Sequence, residues 1–440
     1  MGDTAAERLS HRRVLNIAIP VVLSNATVPI LGAVDTGVVG QMGLAAPIGA
    51  VGIGAVILSA FYWVFGFLRM GTVGLTAQAE GQGDADEVAA MLTRAMMIGL
   101  GAGVVIIALQ SALFWAAFQV SPASAQVEGL ARQYMAVRIW SAPAAIALFG
   151  ITGWLIAQEH TRAVLVLQLW MNGLNIGLDL WFVIGLGWGV QGVAFATAIA
   201  EWSGFALGLW FCRAVFAAPA WRAWAHVFSA ARWRRMMGVN TDILIRSLLL
   251  QAIFVSFMFM GAAQGDVVLA ANQVLLQFLM VASYALDGFA FSAEALVGKA
   301  AGARNRARLR RAALLASGWG MVAAGLMAVG FVLFGGMIIE AMTTSGAVRA
   351  QALLYLPYVV VVPVLACAAF MLDGIFIGAT RSRDMRNMMA VSFGVYVICV
   401  AVLEPSLGNH GLWGAMLISF VVRAATLGAR YPALERAVAN

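Results

Sequence analysis

Apolar residues run along this chain in long stretches separated by short polar breaks, and the strict alternation of a half-buried strand is absent. Twelve stretches can be read, at about 14–40, 47–79, 91–118, 129–157, 164–184, 190–215, 237–261, 267–297, 312–340, 351–379, 387–404 and 411–430. A helix needs roughly 20 apolar residues to cross hydrocarbon, so each is a candidate span, and the longer ones predict tilt, kinks or protrusion. Helices rather than barrel strands follow from the length of the runs.

Composition closes off the other classes. Of 440 residues, 62% are hydrophobic and 11% charged, with a mean hydropathy of +0.89. An ordinary soluble domain carries about 25% charge. A soluble chain of this length could not cover so much apolar area with a polar skin. That excludes a soluble enzyme, a disordered scaffold and a nucleic-acid module. The fold class expected is an all-α polytopic membrane protein with the lipid bilayer as its main partner.

The formal net charge of +7 comes from 27 basic and 20 acidic residues, and Lys299 is the one lysine. With the N-terminus placed inside, 21 of the 27 basic residues fall in inside segments. Three, Arg132, Arg138 and Arg349, count as outside, and Arg69, Arg246 and Arg423 lie within spans. By the positive-inside rule both termini are cytoplasmic. The first apolar run is too long and too interrupted, by Pro20, Pro29 and Asp35, for a cleaved signal peptide. Cys212, Cys367 and Cys399 all fall inside apolar runs, so neither a disulfide framework nor a metal-ligand spacing is expected.

The longest polar break is 216–236, with Ala218-Pro219 and the basic run Arg232, Arg234, Arg235, and it falls at mid-chain. Segments follow: a cytoplasmic start at 1–13, a first lobe at 14–215, the linker, a second lobe at 237–430 and a tail at 431–440. An internal repeat supports two halves. At an offset of 222, Gly189-x-x-Gly192 before Thr197 meets Gly411-x-x-Gly414 before Ser419, and Gly43 meets Gly265. At 221, Gly153 meets Gly374, and at 217, Gly71 with Gly81 meets Gly288 with Gly298. Six spans per half is an even number, so the repeats are parallel. An internal pseudo-dimer makes a monomer the expected state.

Ionisable side chains in hydrocarbon cost a few kcal/mol each, so each needs a cavity, a partner or a task. Asp35 and Asp179 each lie about five residues from the outer ends of spans 1 and 5, and Thr197 about seven inside the outer end of span 6. At about 1.5 Å per residue these share one level. Asn175 precedes Asp179 by four and shares its helix face, with Asn172 near it. Two carboxylates with amide and hydroxyl oxygens around them suit H⁺ or Na⁺, because desolvation and mutual repulsion favour a carboxyl that holds a proton. The competing reading is that the two acids are separately solvated near the outer interface. In the second half, Asp287, Glu294 and Asp373 lie near the inner side, with Arg246 and Arg423 at comparable depth. Ion pairs or a gate both fit these five. Arg69 and Glu201 are single charges whose partners the sequence does not name. Pro20 and Pro29 permit bending of span 1.

Several motifs together resemble the multidrug and toxic compound extrusion (MATE) transporters. They are Val34-Asp35-Thr36 before Gly40 and Gly43, and Pro47-Ile-Gly-Ala-Val-Gly-Ile-Gly54. Gly66-Phe-Leu-Arg-Met-Gly71 leading to Gln78-Ala-Glu-Gly-Gln-Gly-Asp84 is more specific. So are Asp287-Gly-Phe-Ala-Phe-x-x-Glu294-Ala and Asp373-Gly-Ile-Phe-Ile-Gly-Ala-Thr380 with Met385-Arg-Asn387, which resemble the DNA-damage-inducible protein F branch. The resemblance covers nearly the whole chain. It implies a V-shaped pair of six-helix lobes in a bacterial inner membrane, exporting cationic or amphipathic organic compounds in exchange for H⁺ or Na⁺, without a cofactor. It also implies a first-lobe cation site at Asp35, Asn175, Asp179 and Thr197, and a bend of span 1 at Pro20. In a second-lobe Na⁺ site of other members Asp373 would take part, but span 7 offers only Asp242 and Arg246, which favours the first lobe.

Three rivals remain. A lipid-linked glycan flippase of related architecture would want a basic cavity. A major-facilitator carrier typically has a basic signature between spans 2 and 3, where this chain has the acidic Glu80-Gly-Gln-Gly-Asp84-Ala-Asp86-Glu87. A membrane-embedded enzyme would gather a nucleophile and base, yet His11, His160, His226 and His410 sit in loops or ends.

Overall fold

The computed structural model describes residues 9–40, 45–120, 124–217 and 219–439. All regular elements among them are helical. They are α1 (His11–Gly40), α2 (Ala45–Trp63), α3 (Phe67–Gln82), α4 (Ala85–Ala108), α5 (Gln110–Val120), α6 (Ala125–Arg138), α7 (Ala142–Ala157), α8 (Thr161–Asp179) and α9 (Gly189–Phe211). Short helices α10 (Arg213–Ala217) and α11 (Trp224–Val227) precede the long α12 (Ala230–Ala263), α13 (Asp266–Gly302), α14 (Arg306–Met342), α15 (Gly346–Gly378), α16 (Ser382–Leu407) and α17 (Asn409–Ala439). A 3₁₀ turn at Val64–Gly66 joins α2 to α3, and another at Ile139–Ser141 joins α6 to α7. Eleven helical stretches are long and apolar enough to cross a membrane, and α1 adds a helix of 30 residues. The twelve-helix expectation therefore holds. Helix ends extend past the apolar runs because polar turns cap them: Asp84 accepts from the Glu87 amide at 2.9 Å, and Asn305 from the Arg308 amide at 2.9 Å.

The internal repeat is written into the backbone. Left-handed residues recur 221 positions apart: Gly83 and Arg304, Glu159 and Thr380, Gly187 and Gly408. A Cβ on Gly153 would meet the Arg69 carbonyl at 2.5 Å, and one on Gly374 would meet the Ala290 carbonyl at 2.6 Å. The same helix crossing is therefore built twice, each time by a glycine that lets backbones touch.

Two compact units emerge, and they interleave in sequence. One holds Leu23–Thr76 and Asp84–Trp233; the other holds Arg234 onward, Ala77–Gly83 and the start of α1 up to Val22. Each has its own core. In the first, Tyr134, Met135, Ile146 and Val193 pack with Leu58 and Phe114. In the second, Phe257, Leu275, Tyr396 and Trp413 pack with Val359 and Met416. The end of α3 joins the second unit through small residues and polar bonds. A Cβ on Gly302 would lie 2.0 Å from the Gln78 carbonyl. Gln78 Nε2 donates to Gly378 O at 3.2 Å and to Thr380 Oγ1 at 3.0 Å, and Lys299 pairs with Glu80 at 2.7 Å. The start of α1 joins because a Cβ on Gly288 would lie 2.8 Å from the Ala18 carbonyl.

The mid-chain linker is docked rather than free. Arg94, fully buried on α4, donates to Glu87 at 2.8 Å, to Val227 O at 2.8 Å and to His226 O at 3.0 Å. Glu87 also holds His226 at 2.9 Å and Arg232. Thr93 Oγ1 donates to Trp221 O at 2.8 Å.

Because the α3–α13 crossing has no room for a side chain, Gly302→Val should cost about 1–3 kcal/mol and lower the melting temperature of detergent-purified protein by several degrees. Gly318→Ala, on α14 with nothing within 4 Å, should leave melting unchanged or raise it slightly. Equal melting curves for the two variants would contradict the crossing.

Candidate functional site

The first-half polar site is assembled by α1, α8 and α9. Asn175 is buried on α8, and its Nδ2 donates to Thr197 Oγ1 on α9 at 3.0 Å. Thr197 Oγ1 in turn donates to the Val193 carbonyl at 3.0 Å, one turn back on its own helix. This locks the hydroxyl's proton and turns its oxygen toward α8. Asp179, one turn beyond Asn175, is fully buried. Three residues before Asn175, Asn172 Nδ2 donates to Thr27 Oγ1 on α1 at 2.8 Å, and its Oδ1 accepts from Gln168 at 2.9 Å. Thr27 Oγ1 donates to Ser24 O at 2.7 Å, completing the chain of bonds. Polar side chains at 168, 172, 175 and 179 thus form one ridge of α8, the i, i+3, i+4 geometry of a helix face.

Of the four expected coupling residues, Asn175 and Thr197 are bonded to each other here, and buried Asp179 follows one turn along α8. The side chain of the fourth, Asp35, lies outside the described residues, although its backbone belongs to α1. Pro20 is buried in α1, and that helix runs unbroken through Pro20 and Pro29.

Directly after Asp179 the helix widens into a π turn over Leu180–Gly185. Such turns are uncommon and are frequent at functional sites. Leu186 N donates to Trp181 O at 2.9 Å, and Trp188 N to Phe182 O at 2.9 Å. The Phe182 and Trp188 rings stack with centroids 4.9 Å apart, and Gly192 leaves room for both. The acid therefore sits at the end of a regular helix beside an aromatic cluster.

In the second half, Arg246 of α12 and Arg423 of α17 converge on Asp373 of α15. Arg246 pairs with it directly, and Arg423 stands 3.5 Å from its Oδ2. The Arg423 guanidinium lies 5.6 Å from the Phe370 and Phe420 ring centroids, a cation–π setting. Asp287, half-buried on α13, acts electrostatically on Arg423, and Glu294 is buried one turn pair further on. Asp242 is held apart from this group by Arg386 at 2.6 Å and Ser382 at 2.8 Å.

One pair escaped the reading of the sequence. Arg138 was placed in an outside segment and Glu201 was left without a partner. The structure puts Arg138 inside a span, in α6, where it donates to Tyr134 Oη at 2.9 Å and pairs with Glu201 at 3.4 Å. The count of Arg138 among the outside arginines is thereby corrected: the stretch 129–157 already includes it, it lies about four turns into a candidate membrane span, and a carboxylate offsets its burial. Both residues lie a dozen or so positions after the first residues of α6 and α9. The same depth comparison that grouped Asp35 with Asp179 would have paired them.

Two matching halves, helical throughout the described residues, with hydrogen-bonded polar ridges and ion pairs inside candidate spans, have the architecture of a multi-pass membrane protein. The sequence model of the MatE family matches residues 20–181 and again 243–403, at the spacing of the internal repeat. The chain belongs to this family. It is 38% identical over 432 residues to DNA damage-inducible protein F of Escherichia coli (strain K12), covering 96% of this chain and 92% of that protein. A probable multidrug resistance protein NorM of Xanthomonas campestris pv. campestris is 26% identical over 458 residues, covering 96% and 93%. Among solved structures, a MOP superfamily transporter from Pyrococcus furiosus superposes with a TM-score of 0.86 at 18% identity, covering 98% and 97%. Vibrio cholerae MATE transporter VcmN in the bent form gives 0.85 at 19% identity, covering 97% of each chain. These likenesses place the fold, and the sequence match places the chain beside the DNA damage-inducible protein F branch.

Removing one member of the Arg138–Glu201 pair leaves a charge stranded in hydrocarbon. Arg138→Met or Glu201→Met alone should destabilise by about 3–5 kcal/mol, while the double variant should regain most of the loss. Thermal melting of the three variants checks this, and strictly additive losses would contradict the pairing.

Proposed function

We propose that the protein is a secondary active antiporter that exports organic, cationic or amphipathic compounds in exchange for H⁺, with Na⁺ the alternative coupling ion. The observation that carries this reading is the Asn175–Thr197 bond beside the fully buried Asp179. It joins an amide and a hydroxyl of two helices one turn from a buried carboxylate, groups of the kind suited to a proton or a hard cation. The names of its relatives, multidrug resistance among them, support the export of organic compounds.

In this reading Asp35 and Asp179 take up the coupling ion from the outer side. Neutralising two buried carboxylates removes their repulsion and lets the polar ridge of α8 close on α1. The Asn172–Thr27 bond is the contact through which that closure reaches α1. Pro20 lacks the amide that would hold the preceding turn, so α1 can bend there. The cation and the exported compound compete through the two shapes of the same half, which is the differential affinity that exchange requires. The second-half group of Asp287, Glu294, Asp373, Arg246 and Arg423 serves as an inner-side gate held by charge pairing. The transporter works as a monomer in the inner membrane with both termini in the cytoplasm.

Proteoliposomes loaded with a lipophilic cation test this. An imposed pH gradient should drive efflux in the wild type, and Asp35→Asn or Asp179→Asn should reduce the rate at least tenfold while melting stays near that of the wild type. Thr197→Val should also slow efflux, since it removes the oxygen that Asn175 holds. Efflux that follows a Na⁺ gradient alone would assign Na⁺ as the ion, and efflux by Asp179→Asn at the wild-type rate would remove the mechanism.

A further inference from the structure

A groove of about 640 Å³ opens at the start of α14, lined by Arg306, Ala307, Arg310, Arg311, Leu314 and Leu315. These positions fall on one face of the helix over its first three turns. Their order along the axis is charged first and apolar second. Arg306 is neutralised by Glu435 of α17, with nitrogens at 3.0 and 3.2 Å from Oε2. Tyr431 stands beside the same carboxylate and within the field of Arg306 and Arg310. Arg310 and Arg311 are exposed, and neither makes an ion pair or hydrogen bond among the described residues. One turn further, Leu314 is 65% exposed on a helix long and apolar enough to cross a membrane.

Two uncompensated guanidiniums above an exposed leucine, at the mouth of a membrane-crossing helix, match the two ends of a phospholipid. The arginine count that sets topology puts this end of α14 on the cytoplasmic side. Arginine forms forked bonds to phosphate oxygens, and leucines one turn deeper give an acyl chain a bed at the hydrocarbon boundary. The ordinary topology signal requires basic residues near the span; it does not require a groove, or two of them left without partners while the third is paired. We propose that this groove is a binding site for an anionic phospholipid of the inner leaflet, its phosphate held by Arg310 and Arg311 and its acyl chain lying against Leu314 and Leu315. The commitment is to the lipid rather than to a soluble phosphate, because the apolar half of the groove has no use for the latter. The site is independent of the coupling-ion reading, since none of its residues belongs to the polar ridge of α8 or to the second-half charge group.

The test compares lipid retention by native mass spectrometry of protein extracted from nanodiscs of phosphatidylcholine doped with phosphatidylglycerol or cardiolipin. The wild type should retain the anionic lipids over phosphatidylcholine. Arg310→Gln with Arg311→Gln should lower that retention by about tenfold or more, at roughly 1 kcal/mol for each basic residue near an anionic surface. Arg304→Gln with Arg308→Gln removes equal charge from the same end of the chain outside the groove and should leave retention near the wild-type value. Leu314→Gln should weaken retention while keeping both arginines. Equal losses in the two double variants would reduce the site to general surface charge and overturn the proposal. So would equal retention of phosphatidylcholine, or displacement of the lipid by millimolar inorganic phosphate. Melting temperatures of all variants, taken in detergent without added lipid, separate loss of the site from loss of the fold.

Discussion

Hydrocarbon offers no hydrogen bonds, and most of this structure follows from that single constraint. Backbone groups in a span are satisfied chiefly within their own helix, which is why all regular elements among the described residues are helical. Side-chain hydroxyls bend back to the carbonyl one turn earlier, as Thr152 does to Leu148 and Thr426 to Val422, both at 2.7 Å. Buried amides pair with one another. Asn272 and Asn409 exchange two bonds of 2.8 and 2.9 Å, and Trp413 Nε1 adds a third at 3.0 Å, so a polar knot sits in the second core fully satisfied. The helices themselves gain no hydrophobic attraction from one another in lipid, so close packing at Gly81, Gly103, Gly302 and Gly378 has to supply it.

The same constraint marks out the places where function can live. Polar side chains that are neither back-bonded nor paired within their helix are in several places answered by a neighbouring helix, and two of these groups hold the candidate site residues. In the first half they form the ridge of Gln168, Asn172, Asn175 and Asp179 against Thr27 and Thr197. In the second half they form the Asp373 node with Arg246 and Arg423. The two halves share a frame but not a charge. Thr197 and Glu201 on α9 correspond, at the repeat offset of 222, to Ser419 and Arg423 on α17. Glu201 finds an arginine on α6, and Arg423 finds an aspartate on α15. One scaffold is built twice, and the charge at this repeat-related position is reversed between the halves.

Much of this was legible before any coordinates. Apolar run length gave the helices, and the Gly153–Gly374 match gave the repeat that recurs in the turns at Glu159 and Thr380. Depth along the helices grouped Asp35, Asp179 and Thr197, and the four-residue spacing added Asn175, because position along a helix is a linear function of residue number; of these the structure bonds Asn175 to Thr197. Arg138 was missed because a charge near the start of an apolar run reads as loop until its neighbours are known. The π turn after Asp179 was invisible because Leu180–Gly185 is as apolar as any regular turn. The interleaving of the units was hidden for another reason: α1 and α3 each look uniform in sequence, and only the contacts of Ala18, Val22 and Gln78 divide them.

Sequence by itself determined the solvent, the number of spans, the repeat and the acids that need a reason to exist, since each depends on transfer energies that accumulate residue by residue. Tertiary structure alone decided the partners. Arg246 could have met Asp287 or Glu294 as readily as Asp373 from depth considerations, and Arg310 differs from Arg306 only in what α17 brings beside it. Rotation of one helix about its axis changes no transfer energy in the sequence, yet it selects which side chain a charge can reach, and packing at the glycine crossings fixes that rotation.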